Sequence, residues 1–244
     1  MALRLLDGAP IDLHAGGVDL MFPHHENEIA QSEGATKTLF SRFWVHVEHL
    51  LIDEEKMSKS IGNVFNLSDV VARGFRPSAL RYLYMSTHYR KQLKFSWASL
   101  QQAEEAVQRL MDFLARLGTI SGGPAHDAVS ARVAQGRADF GSMIEQDLNT
   151  AGALGVLFEL IRAMNTAIDA NDVGEPDVAV IRHAFDEIDR ILGVMTLRRA
   201  EDAAAAVSPE EIERLIADRQ AAGSRRDFAS ADRIRQELSA RGII

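Results

Sequence analysis

Ile11-Asp12-Leu13-His14-Ala15-Gly16-Gly17-Val18-Asp19-Leu20 reads as a β-strand, near residues 10–14, running into a glycine turn. Directly after it, Met21-Phe22-Pro23-His24-His25-Glu26-Asn27-Glu28-Ile29-Ala30-Gln31-Ser32-Glu33 carries a helix near 24–34. The next apolar run, Phe43-Trp44-Val45-His46-Val47-Glu48-His49-Leu50-Leu51-Ile52, alternates as a buried strand or strand pair does. Residues 9 to 65 are therefore an α/β part. Lys56-Met57-Ser58-Lys59-Ser60, closed by Ile61-Gly62-Asn63, follows at the C-terminal edge of the last strand, where doubly wound sheets bind ligands.

Lys56 and Lys59 place two ammonium groups three residues apart, interleaved with the hydroxyls of Ser58 and Ser60. Lysine is a compact cation with rotatable donors, and Gly62 lets the backbone bend. Such a loop suits a polyphosphate. It stabilises charge moving onto a leaving pyrophosphate and closes over substrate before chemistry. By itself K-x-x-K is also the pattern of a solvated basic loop. His24 and Glu28 stand four apart, so a helix from Pro23 onward puts them on one face, as metal ligands or as a solvated pair at a helix start. His14, Gly16, Gly17 and Asp19 fit a plain tight turn, or one where a ligand approaches the backbone closely. Trp44, read alone, is a core residue.

The chain has 244 residues, 46% hydrophobic and 25% charged, enough for one large or two small domains with a real core. No stretch approaches the roughly 18 apolar residues that span a bilayer. The segment Met1-Ala2-Leu3-Arg4-Leu5-Leu6-Asp7 lacks a signal-peptide layout, so a cytoplasmic location without membrane contact is the expectation. Cysteine is absent, which removes disulfides, a thiol nucleophile and an all-cysteine zinc site. The net charge of −8 argues against a nucleic-acid binder held by phosphate attraction alone, while a local basic patch stays open. No H-E-x-x-H helix is present, which weakens a metallohydrolase reading.

Past Asn66 the pattern turns helical. Asn66 or Ser68 caps one helix, Pro77 opens another, and a long one runs from Ser96 or Trp97 to a stop at Gly118. After a break at 119–127, amphipathic helices are predicted at roughly 128–145, 147–171 and 175–195, a small bundle. Ala200–Val207 reads as an alanine-rich linker, followed by helices opening at Ser208-Pro209 and spanning about Phe228–Arg241.

The glycine-rich D-L-H-A-G-G-V-D-L segment, F-P-H-H-E-N-E-I-A-Q-S and K-M-S-K-S stand in order within the first 63 residues. Together they resemble the class I aminoacyl-tRNA synthetases, and within them the cysteinyl-tRNA synthetases. The resemblance implies an α/β, partial Rossmann-like nucleotide-binding half, then a mostly α-helical bundle and a short helical tail. It divides the chain into a C-terminal half of the catalytic domain (1–65), a stem-contact region (66–118), a DALR-type bundle (119–200) and an incomplete anticodon-recognition tail (201–244). The family's phosphate-binding HIGH motif has no counterpart, since no H-x-G-H occurs. The expectation is a C-terminal portion of such an enzyme.

The activity implied is ATP-dependent conversion of cysteine to cysteinyl-adenylate, then transfer to tRNA(Cys), with Mg2+ accompanying ATP. Lys56 and Lys59 take the phosphate role, Lys59 by contact with ATP. His14, Gly16, Gly17 and Asp19 lie under the adenosine, although Ala15 stands where the family has glycine. His24 and Glu28 bind a Zn2+ that recognises the substrate thiol, and Trp44 and His46 flank the cleft. The family's other two zinc ligands are cysteines, absent here. Two ligands make a poor site, so the chain alone is expected to bind zinc weakly and activate cysteine poorly. The partners implied are tRNA(Cys), cysteine and ATP, with the protein a monomer. Arg81, Arg90, Lys91 and Lys94, among Tyr82, Tyr84 and Tyr89, are a solvated face or a contact with the bend of tRNA. The tail arginines (Arg214, Arg219, Arg225, Arg226, Arg233, Arg235, Arg241) face the anticodon. A non-catalytic tRNA-binding paralogue and a cysteine ligase with an amino-sugar acceptor are the alternatives.

Overall fold

The computed structural model describes residues 10–52, 55–56, 64–205, 209–225 and 227–240. Strand β1 (Ile11–Gly17) pairs in parallel with β2 (Ser41–Val47). A parallel pair needs a crossover, and helix α1 (Glu26–Thr36) supplies it. The glycines do not form the expected turn. Gly16 and Gly17 are the last residues of β1, in register with His46 and Val47, and the chain turns only afterwards, through Val18–Leu20 and a π turn at Met21–His25. Glycine is needed here for close approach. A Cβ on Gly16 would lie 2.7 Å from His25 Cε1.

The apolar run at 43–52 is two strands in two sheets. β3 (Leu50–Ile52) leaves β2 and joins a second sheet of order β4-β3-β5, antiparallel to β4 (Glu55–Lys56) and parallel to β5 (Leu93–Phe95). Nor is the β1–β2 pair buried as expected. Leu13 lies opposite Phe43, and the two are 54% and 67% exposed. Parallel strands normally have both faces covered. Among the described residues, only the face carrying His14, Trp44 and His46 is packed.

Helix α2 (Leu67–Ala72) starts at Asn66, whose N–H donates to Asp69 Oδ2 at 2.7 Å. Helix α3 (Pro77–Met85) has Pro77 in its first turn, and α4 (Trp97–Leu117) is capped by Ser96, whose Oγ accepts from Ser99 N at 3.0 Å. A small core of Ile52, Val70, Ala79, Leu83, Phe95 and Leu100 fastens these helices to the second sheet. α5 (Asp127–Glu145), α6 (Thr150–Asp169) and α7 (Glu175–Leu192) then form a bundle with α4. Its core includes Leu110, Phe113, Leu157, Leu160, Ile181 and Phe185. Each such side chain contributes about 1.5–3 kcal/mol by leaving water. By length and composition α6 is apolar enough to cross a bilayer, which the sequence reading did not raise. Its Leu154, Leu157, Leu160, Ile161 and Met164 are buried in the bundle core.

The expected linker at Ala200–Val207 is largely helix. α8 (Met195–Ala205) begins two residues after α7 ends. Gly193, at φ +61°, stops α7. The buried Asp189 carboxylate then accepts from the N–H groups of Val194, Met195 and Thr196, satisfying the first turn of α8. The tail is a pair of helices, α9 (Pro209–Ser224) and α10 (Phe228–Ala240), with Ala222 and Leu238 buried.

Candidate functional site

On the packed face of β1–β2, strand alternation and register bring His14, Trp44 and His46 together. The π turn lowers His25 onto them, and the first turn of α1 brings Glu28 alongside. The His14 and Trp44 rings stack at 4.6 Å and 29°. His25 lies 5.0 Å from Trp44 and donates or accepts one hydrogen bond with His46, Nδ1 to Nε2 at 2.8 Å. Only one proton fits between those two nitrogens, so one of the pair stays unprotonated there. Burial, then the neighbouring His14 and His46, hold His25 below the ordinary histidine pKa.

Glu28 is the hub for charge. His14 Nε2 stands 3.2 Å from Glu28 Oε2, and His24 Nε2 stands 3.9 Å from Glu28 Oε1. The sequence paired His24 with Glu28, and the fold sets His14 closer. Ligand atoms of His14, His25 and Glu28 all lie within 4.8 Å of one another, and Glu28 Oε2 is buried without a hydrogen bond. Two imidazoles and a carboxylate are a donor set that zinc accepts, so the residues present fit a borderline cation by type and proximity, with no thiolate among them. His25 was not singled out from the sequence. Its spacing of three from Glu28 puts both on one side of a helix turn and was the available signal.

Gly16 lies directly beneath His25, while Asp19 sits exposed in the turn after β1. Lys56 is the last residue of β4, paired with Leu51. Lys59 and the rest of its loop lie outside the described residues.

The basic-aromatic stretch at 81–94 is not one surface. Arg81 Nε donates to the Leu192 carbonyl at the end of α7. Arg90 Nε pairs with Asp147 Oδ2 at 2.7 Å, and Tyr89 Oη donates to Asp147 Oδ1 at 2.7 Å. Both arginines hold the bundle against the α3 region. In the tail, Arg226 and Arg241 lie outside the described residues.

Three family models match the chain in order: the tRNA synthetases class I (C) catalytic domain over 1–105, the DALR domain over 139–197, and the cysteinyl-tRNA ligase anticodon binding domain over 207–244. The cysteine--tRNA ligase of Solibacter usitatus is 44% identical over all of this chain and 52% of its own length. The corresponding ligases of Chlamydia abortus and Caldicellulosiruptor saccharolyticus are 40% and 41% identical, again over all of this chain and 50% and 52% of theirs. The chain thus spans about half the length of the curated relatives it matches. Among solved structures, the LeuRS–tRNA–LeuAMS complex of Agrobacterium radiobacter K84 shares the fold, with a TM-score of 0.58 and 17% identity over 77% of this chain and 26% of that one. A parallel strand pair carrying the site, joined to a DALR-type helical bundle, defines a class I aminoacyl-tRNA synthetase chain. Within that class, the chain belongs to the cysteinyl-tRNA synthetase family.

Proposed function

We propose that this chain carries the amino-acid-recognition and tRNA-reading portion of a cysteine--tRNA ligase. The observation behind it is the His14–His25–Glu28 cluster set on the glycine end of β1, in a chain that also matches an anticodon-binding model. The boundaries 1–65, 66–118, 119–200 and 201–244 remain our division of labour along it. The reaction has two steps. The cysteine carboxylate attacks the α-phosphorus of ATP, giving cysteinyl-adenylate and pyrophosphate. A hydroxyl of the terminal ribose of tRNA(Cys) then attacks the acyl carbon and releases AMP.

In this scheme Lys56 and Lys59 neutralise the triphosphate, whose Mg2+ shares that charge, and draw off the pyrophosphate. Gly16, without a side chain, lets β1 sit close under the nucleotide, with Gly17, His14 and Asp19 beside it. Trp44 fixes the His14 ring by stacking, and His46 fixes His25, so both imidazoles are pre-oriented. Glu28 with His24, His14 and His25 would hold zinc, which when bound prefers thiolate and so separates cysteine from serine. The histidine motif that completes phosphate binding in the family does not occur in these 244 residues. The anticodon match argues against an amino-sugar acceptor, which has no anticodon.

The test is a pair of measurements on the chain alone. Cysteine-dependent pyrophosphate exchange is expected to be far below a complete ligase's rate, while tRNA(Cys) is retained on a filter in preference to other tRNAs. Exchange at a complete enzyme's rate, or indifference among tRNAs, overturns the proposal.

A further inference from the structure

The arginines at 81 and 90 are consumed inside the protein, but two others are not. α4 and α6 leave between them a groove of about 660 Å³ whose walls include Arg109, Arg116, Phe158 and Arg162. Arg109 and Arg162 are exposed and, among the described residues, form no ion pair. The Arg109 guanidinium lies 5.6 Å from the centre of the Phe158 ring, which steadies it against the wall. Arg116 is held by Asn165 Oδ1 at 2.7 Å and by Asp169.

The two carboxylates of the groove are occupied. Asp169 is paired with Arg116, and Asp112 accepts from Gln108 Nε2 at 2.8 Å. Past Arg109 the groove continues into a second cavity of about 450 Å³, bordered by Ser86, Thr87, Gln92, Lys94 and Gln102. That end reaches β5, whose neighbour β3 leads to the lysine loop. The other end lies at Asp169, the last residue of α6.

A cationic trough on a chain of net charge −8 complements a polyanion. Guanidinium groups match phosphate oxygens with two parallel hydrogen bonds, and the amides and hydroxyls along the walls suit sugar and phosphate contacts that carry no sequence information. We infer that this trough seats the sugar–phosphate backbone of RNA. Resting on the function proposed above, that RNA is the limb of tRNA between the nucleotide cleft and the helical tail.

The test is filter binding of tRNA(Cys) transcript to the whole chain as salt is raised. Wild type is compared with R109Q/R162Q and with R190Q, an exposed arginine outside the trough. The double variant is expected to lose about tenfold in affinity at low salt and about 1–2 units of log–log salt slope, one for each phosphate released. R190Q is expected to match wild type, and all three proteins to share one far-UV circular dichroism spectrum and melting point. An unchanged slope in the double variant, or an equal loss in R190Q, overturns the trough while leaving the ligase reading intact. Failure of the wild type to bind tRNA at all sinks both. Displacement of the RNA by polyglutamate as readily as by unlabelled tRNA assigns the trough to an acidic protein and overturns the RNA assignment.

Discussion

Arg198→Met is expected to loosen the junction between the helical bundle and the nucleotide-binding half. Arg198 is fully buried on α8. Its Nη1 donates to Glu104 Oε1 of α4 at 2.6 Å, and its Nε lies 3.7 Å from Glu201 Oε2. Glu201 in turn accepts from Ser78 N at 2.8 Å and Ser78 Oγ at 2.6 Å, in the first turn of α3. One guanidinium therefore ties α4 and α8 together and, through Glu201, reaches α3. Methionine keeps most of the stem volume but strands two carboxylates. Removing one partner of a buried pair costs about 3–5 kcal/mol. The lower end applies here, about 3 kcal/mol, because both carboxylates keep some water and Glu201 keeps Ser78. For a chain of this size that lowers the melting temperature by roughly 6–12 °C, read by far-UV circular dichroism. The double variant R198M/E104L is expected to recover to within about 1 kcal/mol of wild type, since an apolar pair of similar volume replaces a buried ion pair at little cost. A loss below about 1 kcal/mol in R198M, or a double variant no better than the sum of its singles, refutes this account.

Two further outcomes concern the site. His25 titrates below its unfolded value of 6.5, so the stability it contributes is full above pH 6.5 and is lost as pH falls toward its folded pKa. Tryptophan fluorescence should show Trp44 released on mild acidification, and H25N should lack that step; an identical transition in H25N would exclude His25 as its source. Cobalt(II) titration of the chain is expected to give nitrogen–oxygen coordination bands without thiolate charge transfer, and E28Q to weaken binding by about tenfold or more. A tight complex indifferent to E28Q would remove Glu28 from the metal-ligand set.

Much of the helical part was legible because its signals are local. Pro77, Ser96 and Gly118 act within one turn of the helix they start or stop, and the bundle stripes repeat every 3.6 residues. α8 was missed for an equally physical reason. Alanine is the strongest helix former, so the alanine run from Ala200 needed only a start, and that start comes from the Asp189 carboxylate on the preceding helix. In the site, the motif residues His14, Gly16, Gly17, His24 and Glu28 could be named from their pattern. The central, buried role of His25 could not, because it depends on a π turn and on meeting His46 across 21 positions.

The sequence by itself determined where helices begin and end, that an α/β layer precedes a bundle, and which family the chain resembles. Only the tertiary structure decided which charges remain free to meet a ligand. Arg81 finds a carbonyl 111 positions away and Arg90 a carboxylate 57 away, while Arg109 and Arg162 are left facing a groove. Capping and periodicity act over a turn or two of backbone. The neutralisation of a charge depends on whichever chain segment packs beside it, and no spacing rule carries that information.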